Sequence, residues 1–203
     1  MKTITKMKTI KKTNTMKTLK KVSILVLTAM VFTACSSDDD TPIPVNEEEV
    51  ITTITATLIP SGGGAAITMQ SRDLDGDGPN APVITVSGSL VANTTYNGSL
   101  VLLNETEDPA ELINTEIEEE DDEHQFFYQA TNGIATFNYV DFDVNGKPLG
   151  LEFTVVTSDA GSGNITITLR HEPNKDAANV SMGDITNAGG ETDIQATFSV
   201  MVQ

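Results

Sequence analysis

The feature that most narrows the fold is a strict two-residue alternation at the end of the chain. Ile194, Ala196, Phe198, Val200 and Val202 are apolar, with Gln195, Thr197 and Ser199 between them. Successive side chains of a strand point to opposite faces, so such a segment has one face for a core and one for water. The same rhythm recurs at Ile165, Ile167 and Leu169, and at Leu151, Phe153 and Val155. Shorter stretches carry it at Ile67 and Met69, at Ile84 and Val86, and at Leu100 and Leu102. Over residues 50–59, Val50, Ile54, Ala56 and Leu58 fall on one face among Thr52, Thr53, Thr55 and Thr57, β-branched residues that suit a sheet. Gly62-Gly63-Gly64 turns the chain, and Asn145-Gly146 reads as a hairpin turn. Eight or nine short strands with such turns predict an all-β sandwich. One short acidic helix is expected as an insertion. Asp108 would cap it, Pro109 would take its first position and Glu111 would complete a capping box. Leu112, Ile113 and Ile117 would form its apolar stripe, ending near Glu123 before a strand over 125–128.

Leu90, Ala92, Thr94 and Tyr96 sit two apart. They resemble the Leu-x-Pro-x-Thr-x-Tyr corner of fibronectin type III modules, with Ala in place of Pro. The resemblance implies an immunoglobulin-like sandwich in which the Tyr96 hydroxyl bonds to nearby backbone where the chain turns the corner.

The N-terminus has a different character. Lys17, Lys20 and Lys21 precede an apolar run over 22–34, which is shorter than the ~20 residues a bilayer span needs. A basic segment, a short apolar run and small residues before a cut make an export signal over 1–34. Met-Lys-Thr occurs at Met1, Met7 and Met16, and a start at Met16 would give a signal of ordinary length. Phe32-Thr33-Ala34-Cys35 resembles the lipobox of bacterial lipoproteins, which implies diacylation of the Cys35 thiol and a membrane anchor. Behind it, residues 35–49 read as a polar, acidic tether, and 50–203 as the folded domain. The run Asp38-Asp39-Asp40 is similar to the surface-export signal of Bacteroidota lipoproteins, which implies an outer-membrane protein facing the exterior. The alternative is a domain facing the periplasm.

Eight of the 12 basic residues precede Cys35, whereas all 29 acids follow it. A mature chain with only Arg72, Lys147, Arg170 and Lys175 against those acids repels nucleic acid and attracts cations. With one cysteine there is no internal disulfide, so the core, or a metal, must stabilise the domain.

Three places hold residues suited to chemistry. Glu118, Glu119, Glu120, Asp121, Asp122 and Glu123 crowd the expected helix C-terminus, where its dipole disfavours acids. Such a run is either well solvated or holds a cation. The two histidines each adjoin an acid, Glu123-His124 and His171-Glu172, a set suited to zinc or copper(II). Asp176, Asp184 and Glu191 are further ligand candidates from the segment after Glu172. Asp73-Leu74-Asp75-Gly76-Asp77-Gly78 opens like a calcium loop, with carboxylates at Asp73, Asp75 and Asp77, but position twelve is Ile84 rather than Glu. No nucleophile elbow or nucleotide loop is present, and an enzyme is not expected.

The segments 73–78, 93–98, 118–124, 170–175 and 189–193 together resemble a group of small flavobacterial lipoproteins that often carry a type 1 periplasmic-binding label. That binding fold needs two α/β lobes, and this chain lacks both the length and the βα alternation. The expected function is a non-enzymatic surface lipoprotein that captures a divalent metal or metal-bearing ligand for a TonB-dependent outer-membrane transporter. The alternatives are a structural or interaction module without metal and a carbohydrate-binding accessory protein.

Overall fold

The computed structural model describes residues 49–203 apart from Asp77. The export signal expected over 1–34, the lipidation expected at Cys35 and residues 35–48 of the expected tether lie outside the described residues. Ten strands and one short helix follow in the order β1 (Thr53–Pro60), β2 (Ile67–Arg72), β3 (Val83–Val86), β4 (Thr95–Asn104), β5 (Glu111–Leu112), α1 (Asn114–Glu119), β6 (His124–Ala130), β7 (Ala135–Tyr139), β8 (Glu152–Thr157), β9 (Gly161–His171) and β10 (Glu191–Val202). All pairings are antiparallel between neighbouring strands. The larger sheet runs β3-β2-β1-β4-β8-β7, with β5 against β4, and the smaller runs β10-β9-β6.

The alternation read from the sequence sorts residues between core and solvent as expected. Ala196, Phe198, Val200 and Val202 of β10 are buried, and so are Ile165, Ile167 and Leu169 of β9. They meet Ile54, Ala56 and Leu58 of β1, Leu100 and Leu102 of β4, and Phe153 and Val155 of β8 in one core between the sheets. Tyr128 of β6 leans on Phe153 across it, ring centroids 4.2 Å apart. Phe153 pairs in register with Gly98, and its ring fills the space a Cβ at Gly98 would need.

The tyrosine corner is present. Tyr96 is buried at the start of β4, and its hydroxyl accepts a hydrogen bond from the Val91 amide at 2.7 Å. Leu90, also buried, bridges to Val202 at the end of β10, tying the corner to the second sheet.

Three expectations are corrected. Pro109, whose bond to Asp108 is cis, does not open a helix. Glu111 and Leu112 instead pair with Asn104 and Leu103, which satisfies backbone that the helix would have used. The helix begins only at Asn114, whose side chain accepts from the Leu102 amide and donates to the Leu100 carbonyl. Val50 is 55 % exposed rather than inward, because β1 starts three residues later. Glu49, assigned by sequence to the tether, belongs to the folded domain: its side chain is 4 % exposed.

Candidate metal centre

β6 begins and β9 ends at the same end of the smaller sheet, and their register places His124 opposite His171. Directly opposed residues in an antiparallel pair point to the same face. The two imidazoles therefore stack, with centroids 4.5 Å apart and planes 29° apart. Both residues are buried, His124 completely. Carboxylates surround the pair.

Glu49 arrives from just before β1. Its Oε1 lies 2.8 Å from His124 Nε2, and its Oε2 lies 3.6 Å from His171 Nδ1. The acidic turn after α1 contributes two more acids. Glu120, at the helix C-cap, offers a carboxylate oxygen within 4.8 Å of ligand atoms from Glu49, His124 and His171. Glu123 Oε2 is 3.8 Å from His171 Nε2. β10 supplies the last. Its register with β9 slips between Thr192 and Ile194, leaving Asp193 as an extra residue. Such a bulge re-aims a side chain, and Asp193 Oδ1 ends 3.7 Å from His171 Nδ1 with its side chain 2 % exposed.

Hydrogen bonding determines which face His124 presents. Its Nδ1 lies 3.1 Å from the Glu120 carbonyl oxygen. A carbonyl can only accept, so Nδ1 carries the hydrogen and donates. In the neutral ring Nε2 is then a bare lone pair facing the Glu49 carboxylate. The contact is close but not aligned as a hydrogen bond, and both His124 Nε2 and Glu49 Oε2 are buried without a hydrogen-bond partner. Two acceptors face to face repel, so the pair needs a proton or a cation between them. Burial works against a charged His124, but Glu49, the Glu120 carbonyl and Asp193 more than offset it and hold the imidazole above its usual range. Burial likewise opposes the Glu49 charge, and His124 overcomes it, keeping the carboxyl below its usual range. Nearby Glu116 is pushed up, first by burial and then by the acids around it.

The donor set fits a borderline divalent ion. Zinc takes imidazole and carboxylate at ~2.0–2.2 Å in a tetrahedral arrangement, which spaces ligand atoms about as widely as Glu49 Oε2 and His171 Nδ1 lie here. The Glu120 carbonyl on His124 Nδ1 is the outer contact that commonly orients a metal-binding imidazole. A cluster of Glu49, Glu120 and the two buried histidines that could hold a metal ion is therefore present among the described residues.

The remaining sequence candidates lie elsewhere. Glu172 is exposed, with a left-handed backbone whose amide donates to the Glu123 carbonyl, and it is not one of the four grouped ligands. Asp176 pairs with Lys147, Asp184 caps the 3-10 turn Ile185–Asn187, and Glu191 is exposed. In the aspartate loop, Asp75 Oδ2 accepts from the Asn80 side chain at 2.7 Å and from its amide, which closes the loop. Asp77 lies outside the described residues. Sequence reasoning missed Glu49, which closes a polar run, and Asp193, which a regular β10 would turn away from the core face. The only hint of the latter was an acid interrupting the strand just before its apolar series. No family model matches the chain, and neither a curated protein nor a solved structure matches it.

Proposed function

We propose that the chain is a membrane-anchored, non-enzymatic binding protein that takes up zinc or copper(II) at Glu49, Glu120, His124 and His171. The observation that carries this reading is His124 Nε2, fully buried, left by the bond at Nδ1 as the ring nitrogen open to a ligand, and aimed at the Glu49 carboxylate. Mixed imidazole and carboxylate donors favour these ions over calcium or magnesium, which prefer all-oxygen sites. The excess of acids beyond Cys35 supports cation capture by raising the local cation concentration. The lipobox-like 32–35 segment and the acidic run after it support attachment to the outer membrane with the domain facing outward, where a TonB-dependent transporter would receive the ion. Glu120 and Glu123, both exposed at the rim, give the ion a route to solvent.

Isothermal titration of the chelator-treated protein with zinc, copper(II) and calcium tests the site. One equivalent of zinc or copper(II) is expected to bind. Affinity should fall at least about tenfold, or ~1.4 kcal/mol, in His124→Ala and in His171→Ala, and stay unchanged in Asp75→Ala. No uptake, or uptake indifferent to both histidine variants, refutes the site and leaves the domain an interaction module.

A further inference from the structure

We infer that an ion in this centre also fastens the segment leading into β1, so that metal occupancy sets how firmly residues 49–52 are held to the domain. This rests on the metal reading above and adds a mechanical consequence to it. The ligands are unevenly distributed along the chain. Glu120 and His124 come from one turn, and His171 is joined to His124 by strand register. Glu49 alone comes from before β1. It is held by its side chain, which reaches both histidines. The next residue, Val50, is 55 % exposed. The first backbone tie to the larger sheet is made by Thr52, whose amide and hydroxyl both donate to the Leu103 carbonyl at 3.0 Å.

What retains Glu49 in the ion-free protein is its charge contact with the histidine pair, 2.8 Å to His124 and 3.6 Å to His171. A coordinated ion replaces that contact by directed bonds from the carboxylate to both sides of the site. Local opening of the segment would then require breaking a metal–carboxylate bond, and ligands that bind only the closed form suppress opening by mass action. Because β1 sits at the middle of the larger sheet while the histidines belong to the smaller one, the same ion would bridge the two sheets at this end of the sandwich.

Hydrogen–deuterium exchange of the full chain, with zinc or with chelator, tests this in samples whose zinc uptake is followed by calorimetry. Exchange at residues 50–52 should slow about tenfold or more on zinc binding, together with that at 120–124 and 171. In Glu49→Gln, zinc should still slow exchange around 124 and 171 but leave 50–52 at the chelated rate. Zinc uptake with no change at 50–52 overturns the inference while the metal site stands, as does equal protection of 50–52 in Glu49→Gln. No zinc uptake by the unaltered chain overturns the metal site itself, and the inference with it.

Discussion

In chelator, His124→Ala removes the imidazole from a contact in which His124 is fully buried and the Glu49 side chain is 4 % exposed. The carboxylate left behind has lost its nearest cationic partner. Removing one member of a buried pair costs about 3–5 kcal/mol, most of it the uncompensated charge. His171 Nδ1, 3.6 Å from Glu49 Oε2, remains to take up part of that charge, which argues for the lower end, about 3 kcal/mol. A domain of this size loses ~2–4 °C of Tm per kcal/mol, so a fall of roughly 6–12 °C follows. Glu49→Gln should cost less, ~1 kcal/mol, because His124 can shed its proton and keep its bond to the Glu120 carbonyl. The pair also sets a pH signature. His124 is held above its usual 6.5, so its contribution is full below that pH and is lost as pH rises through the raised value. Glu49 is held below its usual 4.5, so its contribution is present above that pH and is lost as pH falls through the lowered value. The penalty of His124→Ala should therefore be largest between these limits and shrink in alkaline buffer. Urea unfolding of both variants across this range, with the slope checked for two-state behaviour, supplies the numbers. A penalty for His124→Ala below ~1 kcal/mol, or one equal to that of Glu49→Gln at every pH, would refute a buried ion pair in the ion-free protein.

Three further outcomes are expected. Zinc affinity, measured by competition with a chelator of known affinity, should strengthen by up to about tenfold per pH unit below the raised His124 value, because the ion displaces a proton from Nε2. Tyr96→Phe keeps the buried ring but deprives the Val91 amide of its acceptor, and should cost ~1–2 kcal/mol in urea unfolding; no change would mean that water replaces the corner bond. Gly98→Ala drives a methyl group into the Phe153 ring on the inner face of β4, and should cost ~1–3 kcal/mol with a lower Tm; a stability gain would mean that the ring moves aside freely.

Much of the sandwich was legible because strand burial is a local, periodic property. Ile194 to Val202 needed only the two-residue rule, and the corner needed only Leu90, Thr94 and Tyr96 at their spacing. The helix was misread for an equally physical reason. Asp108, Pro109 and Glu111 satisfy local capping preferences, but the free edge of β4 offered residues 111–112 hydrogen-bond partners, and tertiary pairing outweighed propensity. The same competition added a tenth strand to the eight or nine expected.

The sequence by itself determined which residues could face a core, how acidic the domain is and that its two histidines each carry an acid beside them. Tertiary structure alone decided that His124 and His171 share one site. Strand register is a long-range choice, and His124 meets His171 only because β6 pairs with β9 rather than with another strand. Structure also recruited Glu49 and Asp193. Glu49 lies in a polar run with no periodicity to mark it, and Asp193 turns inward only because of a bulge between β9 and β10. Nothing in the residues near either one encodes the approach, since the groups they meet come from elsewhere in the chain.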